Sequence, residues 1–224
     1  MGKGFSWAIA KFGQYWIAFV GLAAVVFAIR LLQWLATTPI TNAFLNCDTV
    51  TVNDTTLSSC VASFGTTILV GIIMAIVFGV LAWLATIGVY RAALKTSLGE
   101  TPGFHNITSA ENLGAYILVA IVFGLMVGIG LVLCILPGLV AIFLFQLAPF
   151  YALDKGEGIG KAFGSSYRAV TKNFVPALLM TLINAAAAFL GGFFFGILTL
   201  VLLPFAALFT VNMYRQFNQE QIAP

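Results

Sequence analysis

Six stretches of the chain are almost wholly apolar, and the polar residues gather between them. The runs cover about 15–36, 64–90, 113–136, 137–153, 174–191 and 192–214. A helix crosses the hydrocarbon core of a bilayer with roughly 17–25 residues. Each run therefore predicts a transmembrane helix, and the fourth, the shortest, sits at the lower limit. A re-entrant segment is the alternative for that run.

Proline and glycine punctuate the middle of the chain. Leu136-Pro137-Gly138 predicts a turn that joins the third and fourth runs with almost no loop, and Pro149 predicts a kink near the far end of the fourth. A different pattern precedes the fifth run. In IGKAFGSSYRAVTKNF the apolar positions Ile159, Phe163, Tyr167, Val170 and Phe174 recur at helical spacing, opposite Lys161, Ser165, Arg168 and Lys172. The N-terminus repeats it: Phe5, Ile9, Phe12 and Trp16 align with Phe163, Tyr167, Val170 and Phe174 at a constant offset of 158. Ile107, Ala110 and the capping-box pair Thr108 and Glu111 suggest a third copy before the third run. The predicted fold is all-α: a single transmembrane domain over 1–224, six helices arranged as three hairpins, each preceded by an amphipathic surface helix. The alternative is that any interfacial segment shows this spacing.

Composition agrees. The chain of 224 residues is 61% hydrophobic and 8% charged, with mean hydropathy +1.06. Soluble domains carry about 25% charged residues, so lipid is the expected solvent. Placement of charge sets the orientation. Lys3, Lys11, Arg91, Lys95, Lys155, Lys161, Arg168, Lys172 and Arg215 are nine of the ten Lys and Arg, and all lie at the termini or in the loops 91–112 and 154–173. The positive-inside rule then puts both termini and those loops in the cytoplasm, with the cell membrane as the expected location. The first run lacks a small-residue cleavage site and is expected to be retained as an anchor.

The outer loop, 37–63, is rich in Thr, Asn and Ser and contains Cys47 and Cys60. An oxidising outer face favours a disulfide between them, worth about 3 kcal/mol in the chain-entropy model. Two free thiols are the alternative, and a zinc site would be incomplete without a nearby His. Cys134, inside the third run, is expected to be a buried apolar residue.

The segments GVYRAALKTSLGE and GIGLVLCILPGLVAIFLFQLAPFYALDKGEGIGKAFGSSYRAVTKNF resemble a broad group of bacterial integral membrane proteins related to the enterobacterial YciC proteins. The likeness covers about 88–174 and rests on Pro137, Gly138, Pro149, Phe150, Asp154, Ala162, Ser166 and Asn173. It implies a polytopic membrane fold and supplies no catalytic residues. The Cys pair lies outside that pattern. In size and hydrophobicity the chain is also similar to small accessory membrane subunits of actinobacterial respiratory supercomplexes.

Chemistry is sparse. His105, alone in its loop, has no partner set, and no metalloprotease, phosphate-loop or nucleophile motif occurs. Neither a cofactor nor a nucleic-acid partner is expected. Arg30 is the one charge inside an apolar run; it either meets a carboxylate or lipid phosphate or snorkels to the interface. Gln146 and Asn184 are candidates for hydrogen bonds between helices. Gly124 and Gly128 form a GxxxG face, either for internal packing or for another protein. The expected function is non-enzymatic: an accessory or scaffold subunit of a larger membrane complex, with other integral membrane proteins as partners. The alternative is a carrier or binder of lipid or another apolar molecule, with phosphate held by Lys161, Arg168 and Lys172.

Overall fold

The computed structural model describes residues 2–45, 49–52, 55–58, 61–104, 110–193 and 196–223. Among them are nine helices: α1 (Gly2–Gln14), α2 (Trp16–Leu45), α3 (Val61–Ser97), α4 (Leu113–Leu133), α5 (Ile135–Phe145), α6 (Ala148–Lys155), α7 (Ile159–Lys172), α8 (Phe174–Phe193) and α9 (Thr199–Phe217). Six segments are long and apolar enough to cross a membrane: Trp16–Thr38, Ile68–Ser97, Leu113–Leu133, Ile135–Lys155, Phe174–Phe193 and Thr199–Phe217. They coincide with the six apolar runs, and the protein is a multi-pass helical membrane protein. The described chain forms two compact units, Ala24–Thr86 and the combination of Met1–Ala23 with Ile87–Pro224.

Within Ala24–Thr86 the connection between helices is shorter than the expected 37–63 loop. α2 continues to Leu45 and α3 begins at Val61. Thr37 and Thr38 stay helical, their hydroxyls donating to the carbonyls of Gln33 (2.9 Å) and Trp34 (2.7 Å). The all-α expectation needs one addition here. Strands β1 (Thr49–Val52) and β2 (Thr55–Ser58) pair antiparallel, Thr49 opposite Ser58 and Val52 opposite Thr55. Alternating Thr and Val suit a strand, a signal hidden by the loop-like composition. Cys47 and Cys60 lie outside the described residues. Arg30 is exposed and donates to Gln33 Oε1 at 3.1 Å.

In the larger unit the sharp turn between α4 and α5 falls at Cys134, which is extended (φ −167°, ψ 137°). Pro137 and Gly138 are therefore not the turn itself but the first turn of α5, where the missing N–H of proline has no helical partner to lose. Cys134 is exposed rather than buried. The two helices meet at Gly130 and Gly138. A Cβ on Gly130 would lie 2.9 Å from Gly138 Cα, and one on Gly138 would lie 2.5 Å from Leu131 Cγ. Only hydrogen fits at either position.

Pro149 does more than kink the fourth span. The helix stops at Phe145 and restarts at Ala148, with Pro149 in the first turn of α6. A broken helix in a membrane must satisfy its freed backbone groups. Ser166 of α7 does so: its hydroxyl donates to the Leu144 carbonyl (2.9 Å) and accepts from the Leu147 N–H (3.2 Å). Thr181 of α8 donates to Gln146 Oε1 (3.0 Å), and Asn184 of α8 bonds Thr210 of α9 (2.9 Å).

The offset of 158 survives in the backbone. Tyr15 N–H bonds Lys11 O and Phe19 N–H bonds Tyr15 O; Asn173 N–H bonds Ala169 O and Ala177 N–H bonds Asn173 O. Buried positions follow: Gly4, Ala8, Phe19 and Leu22 correspond to Ala162, Ser166, Ala177 and Met180. A further shift of 61 brings in α4. Tyr116 N–H bonds Asn112 O, and Tyr116 and Val119 are buried where Ala177 and Met180 are. Within the amphipathic pattern the apolar stripe is only partly buried: Val170 is enclosed, and much of the rest is not. In α1 and α7 the small residues turn inward, while Phe5, Ile9, Ile159 and Tyr167 of the aromatic stripe are exposed. Small side chains let backbones approach closely, whereas large apolar ones lose nothing by facing lipid.

Candidate functional site

Three spans end at one place. Ser97 closes α3, Asp154 stands one residue before the end of α6, and Arg215 lies in the last turn of α9. Arg215 holds Asp154 by two parallel bonds, Nη2 to Oδ1 at 2.7 Å and Nη1 to Oδ2 at 2.8 Å. Its Nε donates to Ser97 Oγ at 3.2 Å, and the Tyr214 hydroxyl donates to Asp154 Oδ2 at 2.9 Å. Such a bidentate, hydrogen-bonded pair is the form in which opposite charges tolerate burial.

Glu220 extends the network outward. Its carboxylate takes Arg215 Nη1 at 2.5 Å and Lys155 Nζ at 2.6 Å. Partial burial works against its charge, but the hydrogen bonds from Lys155 and Arg215 outweigh that, and its pKa falls below the ordinary 4.5. The segment that carries it is tied down. Ala223 N–H bonds Ser97 O at 2.9 Å, and Trp7 of α1 donates its indole N–H to Ala223 O at 2.8 Å. Asn112 donates to the Leu153 carbonyl at 3.1 Å, closing the end of α6. Gly156 follows in the left-handed region (φ 64°), where a glycine is needed to end the helix.

Beside this network lies a cavity of about 310 Å³, lined by Lys155, Glu157, Arg168 and Lys172 together with Tyr151, Ser165, Ala169, Phe217 and Asn218. Ser165, Arg168, Ala169 and Lys172 form one stripe of α7 at helical spacing. Tyr151 donates to Asn218 Oδ1 at 2.8 Å along the wall. Lys155 is engaged by Glu220, whereas neither Arg168 nor Lys172 has an ion-pair partner among the described residues. Glu157 is 8% exposed. Its Oε1 is 3.5 Å from Lys161 Nζ, and its Oε2 has no hydrogen-bond partner among the described residues. Depth follows from the spans. Lys155 ends the fourth, Phe217 ends the sixth, and Lys172 precedes the fifth by two residues. The cavity lies beside the ends of three candidate membrane spans. A second cavity, of about 450 Å³ between α4 and α5, is lined by apolar residues and glycine, including Met126, Gly130 and Phe145.

Of the three expected phosphate contacts, Arg168 and Lys172 line the charged cavity. Lys161 does not: it points outward, 72% exposed, and pairs with Glu157. Lys155 takes its place. Gly124 and Gly128 are exposed, and no described atom outside their own helix comes within 4 Å of where their Cβ would be. His105 lies outside the described residues, which contain no cluster of three potential metal ligands. Sequence reasoning missed the Asp154–Arg215 pair because each residue borders an apolar run and reads as a span end. The available signal was the likeness pattern, which already singled out Asp154.

No family model matches the chain, and no solved structure matches it. It is similar along nearly its whole length to mycobacterial proteins. Uncharacterized protein Mb2590 of Mycobacterium bovis and uncharacterized proteins MT2637 and Rv2560 of Mycobacterium tuberculosis are each 24% identical to it over 235 aligned positions, covering 99% of this chain and 70% of theirs.

Proposed function

We propose that this is a non-enzymatic protein of a bacterial plasma membrane that binds the phosphate of a membrane lipid at its cytoplasmic end. One observation carries the reading: Arg168 and Lys172, two cations with no acidic partner among the described residues, line a cavity beside the ends of three candidate spans, which in a bilayer is headgroup depth. Basic residues at this depth attract lipid phosphate. The orientation rests on the charge distribution, with nine of ten Lys and Arg at the termini or in the loops on one side. The fold is then three transmembrane hairpins entering from the cytoplasm, the chain segments at α1 and α7 lying along that surface.

The test is retention of lipid. The chain purified in mild detergent should carry phospholipid in native mass spectrometry, and the double variant R168A/K172Q should lose it. Lipid-free wild type, or a double variant that keeps as much lipid, overturns the reading.

A second reading, an accessory subunit of a larger membrane complex, is favoured by the open Gly124 and Gly128 face. Affinity purification would then yield fixed-ratio membrane partners, and Gly128→Leu would release them.

A further inference from the structure

The cavity is not purely cationic. A binding site for a simple anion gains nothing from a carboxylate in its wall, yet Glu157 lines this one, more than nine-tenths buried. Its Oε2 has no donor among the described residues, while Oε1 pairs with Lys161. A buried carboxylate oxygen without a donor is unfavourable by about 1–3 kcal/mol or more, so such groups are normally satisfied. The local charges sharpen the point. Glu220 neutralises Lys155, which leaves Arg168 and Lys172 on one stripe of α7 and, on the connection between α6 and α7, Glu157, whose Oε1 is met by Lys161 at 3.5 Å and whose Oε2 has no hydrogen-bond partner among the described residues. The wall thus presents both signs side by side. Its complement is a ligand that is also zwitterionic, with an anion for Arg168 and Lys172 and a protonated amine for Glu157. The volume, near 310 Å³, is at the small end of ligand pockets. It suits a headgroup, with the acyl chains left in the bilayer.

We propose that the cavity recognises an aminophosphate headgroup of the phosphatidylethanolamine type, the phosphate on Arg168 and Lys172 and the primary ammonium on Glu157. This rests on the lipid-binding reading above and names the ligand class. Phosphatidylcholine has the same phosphate but no N–H on its cation. Phosphatidylglycerol has the phosphate and hydroxyl donors but no positive charge for Glu157 to pair with.

The experiment uses the full chain in detergent with dihexanoyl phosphatidylethanolamine, phosphatidylcholine and phosphatidylglycerol, each titrated by native mass spectrometry, with free O-phosphoethanolamine as competitor. Phosphatidylethanolamine should bind at least tenfold more tightly than the other two. Glu157→Gln should erase the preference by weakening phosphatidylethanolamine most, while binding of phosphatidylglycerol, which has no cation to lose a partner, is undiminished, since the amide keeps the shape and loses the charge. Ser165→Trp, at another residue of the cavity wall, should weaken all three lipids, and a thermal midpoint for Glu157→Gln equal to that of wild type shows that the variant folds. Equal affinity for the three lipids, still sensitive to R168A/K172Q, overturns the headgroup assignment and leaves the lipid-binding reading standing. Binding insensitive to R168A/K172Q overturns both. Competition by free O-phosphoethanolamine as strong as that of the lipid supports the aminophosphate chemistry and makes a soluble phosphate ester the ligand.

Discussion

Helices α1 and α7 are built to one plan and end in different chemistry. Each buries small residues at corresponding positions, Gly4 and Ala8 in one, Ala162 and Ser166 in the other. Each makes the same backbone step into the span that follows. The face next to the buried one is where they diverge. The second copy presents Ser165, Arg168 and Lys172 to a cavity; the first has Trp7, Ala10 and Gln14 at the same offsets. Trp7 is large, and its indole N–H is tied to Ala223 O. Phe5 lays its ring against Phe205 of α9 at 5.2 Å. One copy closes its flank with apolar rings and a hydrogen bond, while the other leaves room and charge. Packing positions thus tolerate little variation, and neighbouring positions on the same helix are free to take on function.

The largest expected effect comes from removing the frame that α9 gives both copies. Arg215→Ala strands a mostly buried Asp154 and should cost about 3–5 kcal/mol, lowering the thermal midpoint in a detergent melt. Adding Asp154→Asn should recover part of the loss, and a double variant as unstable as the single would show that charge is not the cause. Next comes the packing difference itself. Ser166→Ala writes the residue of the first copy, Ala8, into the second. It leaves the buried Leu147 N–H without its side-chain acceptor and should cost about 1–3 kcal/mol.

The cavity gives a smaller, selective effect. R168A/K172Q installs the residues of the first copy at two exposed positions. Lipid binding should fall at least tenfold, about 1.4 kcal/mol, with the thermal midpoint unmoved. The smallest effect is the pH dependence of Glu220. Its pKa is lower folded than unfolded, so its stabilisation is complete above about 4.5 and disappears as pH falls through the folded value. The difference in thermal midpoint between wild type and Glu220→Gln should therefore be constant near neutral pH and shrink below about 4.5.

Much of the architecture is legible in the sequence because lipid demands long apolar helices whatever their neighbours. The six runs and the repeat offset both reappear in the structure. Faces were harder to read. The aromatic stripe Phe5, Ile9 and Ile159, Tyr167 has the periodicity of a buried surface, but in lipid that rule inverts, and small residues mark contact instead. The same inversion misdirects the glycines. Gly124 and Gly128 carry the motif and are open, while Gly130 and Gly138, on either side of a turn, are the pair that touches. Arg168 and Lys172 were found from charge and helical spacing. Lys155, Glu157 and the Asp154–Arg215 pair were not, because they come together only when three span ends meet.

Asp154 and Arg215 are 61 residues apart in the chain, and that separation has a cost in time during synthesis. At about 5–20 residues per second, the fourth span emerges roughly 3–12 s before its counter-charge. Throughout that interval the nascent chain holds Asp154 without the guanidinium that pairs with it in the finished fold. A chain whose synthesis stalls after the fourth span would keep that exposed charge, and it is there that insertion machinery or a membrane protease could tell an unfinished chain from a finished one.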